Sequence, residues 1–156
     1  MLLHRRQYTE VPLQALVVVV KNIVFNHLNQ TYLDKILELC RQHNIEVILV
    51  ATPLSKNALC EAANLQDFYV WYQTLAEKQG SKFFDFNLYR EKEALLPDET
   101  MFFDRLHLND EGATRFSQRF AELMARENAG EDLSPLFYGS YPEMEQALFG
   151  SLKQSN

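Results

Sequence analysis

The sequence contains few residues of the types that define several protein classes. Only two of its 156 residues are cysteine, and glycine and proline occur five times each. Two cysteines cannot build a disulfide scaffold, and neither Cys40 nor Cys60 belongs to a C-x-x-C pair of the kind that binds zinc. We therefore expect both to be free, buried thiols. The low glycine and proline content excludes a collagen-like or low-complexity chain.

Long apolar runs and an excess of positive charge are also lacking. The most apolar run, residues 15–20, is followed directly by Lys21, whereas a membrane-spanning helix needs about 20 apolar residues. No clear small-residue cleavage site follows Val20, so a secretory signal peptide is not expected. Lys and Arg number 15 against 21 Asp and Glu, and the formal net charge of −6 disfavours non-specific binding to nucleic acid.

Length and composition indicate one globular domain, since 47% of the residues are hydrophobic and 23% are charged. We expect a single α/β domain over residues 1–128, followed by a C-terminal extension over residues 129–156. Ser140 and Glu143 in this extension resemble a capping box, which predicts a short last helix.

Helical and strand patterns alternate through the middle of the chain. The first 30 residues fit an amphipathic helix, although residues 17–20 are β-branched and would also suit a buried strand. A helix over Tyr32–Gln42 follows, with Thr31 as its cap and Asn44 as a left-handed stop. Its apolar stripe is formed by Leu33, Ile36, Leu37 and Cys40.

The strongest strand signal is the apolar run Ile45–Ala51, which Thr52 and Pro53 end. A helix over Asn64–Gln79 then leads through Gly80 to a short strand, Lys82–Phe86. After a loop, Asn109 caps a helix with a buried stripe of Ala113, Phe116, Phe120, Leu123 and Met124. This order predicts an α/β fold with a short parallel sheet flanked by helices, as in part of a flavodoxin-like three-layer sandwich.

The loop before the last long helix carries the residues that are most suggestive of chemistry. Asp104 and His107 are three residues apart, so the carboxylate can bend back and accept a hydrogen bond from the Nδ1–H group of the imidazole. The Nε2 atom would then be free to take a proton from a hydroxyl. The alternative is a solvated loop histidine beside a helix cap. His4, His27 and His43 are dispersed, so no metal site is expected.

This segment resembles the last conserved block of the SGNH (GDSL-like) hydrolases, particularly their bacterial cell-envelope-associated branches. That block is Asp-x-x-His, then an Asn or Pro, then a Gly opening the last helix; here these residues are Asp104, His107, Asn109 and Gly112. The resemblance covers about residues 31–125. It implies esterase or O-acyl transferase chemistry on small-molecule or glycan acyl esters, without metal or organic cofactor. His107 would be the general base, Asp104 its partner, and Asn109 a substrate-binding residue.

The chain departs from the family pattern at the nucleophile, because no Gly-Asp-Ser block and no glycine of any kind precede Gly80. We therefore interpret it as the C-terminal portion of such a domain, inactive by itself. Ser55, which follows the best strand, is a candidate nucleophile; the alternative is a polar turn residue. Asp85 near a strand end is a candidate substrate contact; the alternative is a turn or cap residue.

Two functions therefore remain open. One is an SGNH-like hydrolase or acyl transferase completed by a missing N-terminal part, and the other is a non-catalytic binding or assembly module on a flavodoxin-like scaffold. An incomplete parallel sheet would leave an exposed edge, which predicts a homodimer, strand exchange or a partner chain. Related envelope proteins work outside the cytoplasm, but the sequence itself does not indicate a compartment.

Overall fold

The computed structural model describes residues 27–149, and it describes the side chains of residues 30–148. The chain has a small α/β fold with six α-helices and two strands in this range. In chain order they are α1 (His27–Gln42), β1 (Ile48–Ala51), α2 (Lys56–Glu61), α3 (Leu65–Gln79), β2 (Lys82–Asp85), α4 (Lys92–Leu95), α5 (Asp110–Asn128) and α6 (Tyr141–Phe149). Two short 3-10 helices, Glu99–Met101 and Ser134–Leu136, lie in the loops on either side of α5.

The two strands pair in parallel, as the alternation of helices and strands predicts. Ile48 is the register partner of Lys82, and Ala51 is the partner of Asp85. Helices α2 and α3 both lie in the connection between the strands, because parallel neighbours need a crossover of a dozen or more residues. Both strands consequently end at the same edge, where the loops after Ala51 and Asp85 lie side by side.

Successive side chains of β2 point to opposite faces of the sheet, and both faces are covered. Phe83 packs against Tyr69 and Tyr72 of α3, with ring centroids 5.9 and 5.5 Å apart. Phe84 belongs to the opposite face and contacts Phe137 at 5.8 Å. The core on that face is centred on four buried residues, Phe86, Tyr89, Leu123 and Leu133.

Residues after α5 are part of this same core. Leu133 is buried within it, and a short antiparallel bridge joins Phe137 to Tyr89. The predicted short helix is confirmed as α6, and the Ser140 hydroxyl accepts a hydrogen bond from the Glu143 N–H group. Part of the predicted C-terminal extension therefore packs against the α/β core.

Several predicted boundaries are confirmed by backbone conformation. Asn44 has a φ of 53°, and Gly80 has a φ of 64° where α3 ends. Asn109 caps α5 by accepting a hydrogen bond from the Gly112 N–H group. The apolar stripe of α5 is at least partly buried along its length.

Other predictions were wrong. Thr31 was predicted to cap the first helix, but it lies inside α1, which already includes His27. No glycine or proline interrupts the chain between these two residues. Ile36 is 57% exposed, whereas Leu37 is buried. The first strand was predicted to begin at Ile45 but begins at Ile48. Ile45 and Glu46 are exposed and precede the residues that pair with β2. Both cysteines are free, but Cys40 is only half-buried and Cys60 is exposed.

The predicted helix with a strand-like start over the first 30 residues lies outside the described range, apart from its last four residues. Within residues 27–149, no helix is both long and apolar enough to cross a membrane.

Candidate functional site

The loop that carries Asp104 and His107 forms a tight turn between the first 3-10 helix and α5. Phe102 and Leu108 form an antiparallel bridge at its base. The Phe103 N–H group donates to the His107 carbonyl at 2.8 Å, and the Asn109 N–H group donates to the Met101 carbonyl at 3.1 Å. These backbone bonds place Asp104 and His107 at the tip of the loop.

Asp104 and His107 form the predicted pair. The Nδ1 atom of His107 lies 2.9 Å from both carboxylate oxygens of Asp104. The backbone N–H groups of Leu106 and His107 each donate to Asp104 Oδ1 at 2.8 Å. The loop backbone thus orients the carboxylate, and the carboxylate in turn orients the imidazole with Nδ1 as the bonded nitrogen.

The charge of Asp104 is stabilised by these contacts. Burial is the largest single influence on its carboxyl and raises the pKa, but hydrogen bonds from the His107 ring and from the Leu106 and His107 N–H groups together outweigh it and lower the pKa below the usual value. An ionised carboxylate beside Nδ1 favours the tautomer with its proton on Nδ1, which leaves Nε2 as a proton acceptor.

The imidazole is open to solvent, since the His107 side chain is 71% exposed and that of Asp104 is 48% exposed. Within residues 27–149, the Nε2 atom has no hydrogen-bond partner. An exposed base can meet a hydroxyl from another segment or another molecule, although solvent weakens its electrostatic coupling to Asp104.

Arg105 ties the tip of this loop to the body of the protein. Its guanidinium forms an ion pair with Glu61 at the end of α2. Its carbonyl accepts a hydrogen bond from the Ser55 N–H group at 3.2 Å. The segment that follows β1 therefore lies directly beneath the Asp104–His107 loop.

Ser55 does not present a nucleophile in this structure. Its side chain is completely buried, and its Oγ atom accepts a hydrogen bond from the Ala58 N–H group at 3.2 Å. This is the geometry of a helix N-cap, and Ser55 indeed precedes α2. A buried hydroxyl in a cap cannot approach a substrate carbonyl, so the candidate role as nucleophile lacks geometric support.

Asn109 and Gly112 likewise serve the scaffold. The Asn109 side chain accepts from the Gly112 N–H group at 3.0 Å and donates to the Thr100 carbonyl. Each end of its amide thus makes one hydrogen bond within the scaffold, and the role that the structure shows for Asn109 is the cap of α5. Gly112 packs its backbone against the Met101 carbonyl, and a Cβ atom there would collide with it.

Asp85 lies at the end of β2 in a separate, buried polar cluster. It is only 6% exposed. Its Oδ1 atom accepts from both the backbone and the side-chain N–H groups of Asn87 at 2.9 Å. Its Oδ2 atom accepts from the Tyr141 hydroxyl at 2.9 Å. Burial and the nearby Asp85 carboxylate raise the pKa of Tyr141, so its hydroxyl remains a donor.

Asn87 connects this cluster with the loop after β1. Its side chain accepts from the Leu54 N–H group at 2.7 Å and donates to the Thr52 carbonyl at 3.3 Å. The hydrogen bonds thus run from Asp85 through Asn87 to the Thr52–Ser55 segment, and from Ser55 to Arg105. Asp85 supports the candidate site from below, and it makes no direct hydrogen bond with Asp104 or His107.

The buried Asp85 carboxyl makes stability depend on pH. Burial raises its pKa above the usual value, although bonds from Asn87 and Tyr141 and the charge of Lys92 partly offset this. A folded-state pKa above the unfolded value means that the stabilisation is complete below the unfolded pKa and is lost as pH rises through the folded-state pKa. The free energy of unfolding, measured relative to Asp85→Asn by urea denaturation from about pH 4 to about pH 8, should therefore fall with rising pH and then level off.

Tyr141→Phe is the matched variant for this measurement. It removes one hydrogen bond that lowers the Asp85 pKa, so the fall should extend to higher pH. A difference between wild type and Asp85→Asn that stays constant across this range would contradict the assignment.

Sequence reasoning missed Asn87, Tyr141 and Arg105. The Asp-x-Asn spacing directly after a strand is a local signal for a side chain that bonds back to the backbone. Tyr141 follows Asp85 by 56 residues along the chain, and no local pattern could join them. Arg105 makes one of its contacts through its backbone carbonyl, which any residue type can supply, and the other with Glu61, which lies 44 residues away in the chain.

Comparison with known proteins gives one match. A protein-family model matches residues 16–128, and the family is uncharacterised. No match was found among the curated proteins or the solved structures. The matched range contains both strands and the Asp104–His107 loop, and it ends at the last residue of α5, where the sequence predicts the boundary of the α/β domain.

Proposed function

The chain belongs to this uncharacterised family, and we propose that it carries the histidine and acid of a Ser-His-Asp acyl hydrolase or O-acyl transferase, in a domain related to the SGNH (GDSL-like) hydrolases. The observation that carries this proposal is the pair of 2.9 Å contacts between His107 Nδ1 and the Asp104 carboxylate. The exposure of the ring adds to it, since Nε2 can reach a reacting group.

The chemistry would follow the usual course for acyl transfer. A hydroxyl oxygen attacks the carbonyl carbon of an acyl ester while Nε2 of His107 removes its proton. The tetrahedral intermediate then breaks the bond between that carbon and the leaving alcohol oxygen, which takes the proton back from the imidazolium. Asp104 stabilises the imidazolium through Nδ1 throughout. Neither a metal nor an organic cofactor is needed for these reaction steps.

The proposed reaction requires a nucleophile, which residues 27–149 do not supply. Because Ser55 is completely buried and caps α2, we assign the nucleophile to chain outside residues 27–149 or to a partner. The parallel β1–β2 pair with α2 and α3 in its crossover is consistent with a portion of a flavodoxin-like sandwich.

Hydrolysis of p-nitrophenyl acetate tests the base directly, because water can replace the missing nucleophile with this activated ester. We expect His107→Ala to lower the second-order rate constant by about tenfold, less than in a complete triad because no nucleophile is positioned. Asp104→Asn should lower it too, and the double variant should be no slower than His107→Ala, since the two residues act as a unit.

His43→Ala is the control for an exposed histidine elsewhere on the surface. Its rate should equal that of the wild type, as should that of Ser55→Ala. Equal rates for His107→Ala and His43→Ala would defeat the proposal. A loss of rate in Ser55→Ala would return the nucleophile to Ser55.

A second candidate function is a non-catalytic binding or assembly module. It is favoured by one observation, the burial of the only serine that sequence reasoning placed beside the site. In that case His107→Ala would reduce stability through the loop and leave ester hydrolysis unchanged.

A further inference from the structure

A cleft of about 640 Å³ runs along one edge of β2. All of β2 lines it, and Phe83 and Phe84 both contribute although they point to opposite faces of the sheet. Residues of both faces can border the same cleft only at the edge of the strand. No residue of β1 lines the cleft, so this is the edge of β2 that faces away from β1.

This outer edge of β2 has no neighbouring strand within residues 27–149, where the sheet contains β1 and β2 alone. The edge of a strand presents a row of backbone N–H and C=O groups that can pair with an added strand. Just beyond β2 the chain already pairs in this way. Arg90 donates to the Leu136 carbonyl at 2.9 Å, and Tyr138 donates to the Leu88 carbonyl at 2.9 Å.

The cleft has aromatic walls. Tyr69 of α3 lies on one side, and Phe137 and Tyr138 of the C-terminal segment lie on the other. Such walls can hold the alternate side chains of an extended peptide while the strand edge binds its backbone.

The charge of the lining indicates what the cleft would bind. Among the described residues of the lining, Lys82 and Arg90 are the only cationic ones, and both are engaged in ion pairs with lining glutamates. The Oε2 atom of Glu127 is buried in the lining without a hydrogen-bond partner. Six carboxyl side chains of the described residues line the cleft, namely Glu77, Asp85, Glu127, Glu131, Asp132 and Glu143. Of these, Glu131 is already paired with Arg126 and Asp85 is buried, which leaves Glu77 and Asp132 as exposed carboxylates without a cationic partner among the described residues.

We propose that the outer edge of β2 binds a cationic, extended polypeptide segment of a partner protein, which adds to the sheet as a strand. The strand edge, which is unpaired within residues 27–149, supplies the backbone bonds, and the exposed carboxylates of the lining supply the attraction for lysine and arginine. A second copy of this chain fits poorly, since pairing two β2 edges would bring the acidic linings together in a chain with a net charge of −6. This interaction is independent of the Asp104–His107 pair.

The test uses a fluorescein-labelled peptide of alternating lysine and valine, about eight residues long, and measures binding to the whole chain by fluorescence anisotropy. We expect saturable binding that weakens as salt rises from about 50 to about 200 mM. The same peptide with glutamate in place of lysine should not bind. A version with alternate backbone nitrogens methylated keeps the charge but loses the N–H groups of one edge, and it should bind about tenfold more weakly.

Two charge-reversed variants of the chain localise the binding. Glu77→Lys changes an exposed residue in the cleft wall and should weaken binding about fivefold. Glu122→Lys makes the same change on an exposed residue of α5 away from the cleft, and it should leave the affinity unchanged. Circular dichroism verifies the fold of both, and Glu77→Gln, with a smaller loss of affinity, replaces Glu77→Lys if that variant does not fold.

Four results would overturn the proposal. They are no saturable binding, equal binding of the methylated peptide, equal effects of the Glu77 and Glu122 variants, and a dimer of the free chain that the peptide dissociates. The last result would assign the edge to a second copy.

Discussion

Replacing Phe86 with alanine will lower the free energy of unfolding by about 3–5 kcal/mol. Phe86 is completely buried at the point where β2 ends. Its ring lies 4.9 Å from the ring of Phe116 and 5.5 Å from that of Phe137, measured between centroids. Alanine would leave a cavity between α5 and the C-terminal segment, and the aromatic neighbours are too large to close it. Urea denaturation followed by circular dichroism measures the change.

Phe103→Ala is the matched control, because Phe103 is 75% exposed in the loop that carries Asp104. Its effect should stay within about 0.5 kcal/mol. Similar losses for the two variants would mean that Phe86 is not the centre of the core.

Gly112→Ala will destabilise the protein by about 1–3 kcal/mol, although alanine normally stabilises a helix relative to glycine by about 1 kcal/mol. The reason is the close approach of the first turn of α5 to the Met101 carbonyl, with Leu108 also in contact. An added methyl group must push the turn away from the preceding 3-10 helix. This movement would disturb the backbone bond from Asn109 to Met101 that closes the loop, so the hydrolysis attributed to His107 should fall as well.

Ala125→Gly provides the comparison within the same helix. Ala125 is exposed, and glycine there should cost the ordinary helix penalty of about 1 kcal/mol. Equal and opposite effects at the two positions would reflect helix propensity alone and would contradict the steric argument at Gly112.

Local patterns were sufficient to predict much of this fold. The apolar periodicity of α3 and α5 extends over four or more turns, and each helix ends or begins at a residue with a specific backbone role, Gly80 or Asn109. The Asp104–His107 pair was also predictable, since the contact spans three residues of one tight loop. In each case the determining interactions lie within a short stretch of sequence.

The rest depends on contacts between distant segments. Helices α2 and α4 are only six and four residues long, which is too short for a periodic pattern, and the role of Ser55 as a cap follows from the presence of α2. The exposure of Ile36 was not predictable from the helix pattern, because Ile36 and Leu37 both fit the apolar stripe and only packing separates them. The bond between Tyr141 and Asp85 likewise has no local signal.

The C-terminal segment returns along residues 88–90, so the packed core extends beyond the residues that match the family. A polypeptide cut after Asn128 would keep the matched region, but it would lose Leu133, Phe137 and Tyr141. The Phe86 ring would then face water on one side, and the Asp85 carboxylate would lose its phenolic donor. The family match and the packed core thus end at different residues, and a chain trimmed to the matched length would need another segment to cover this side of the core.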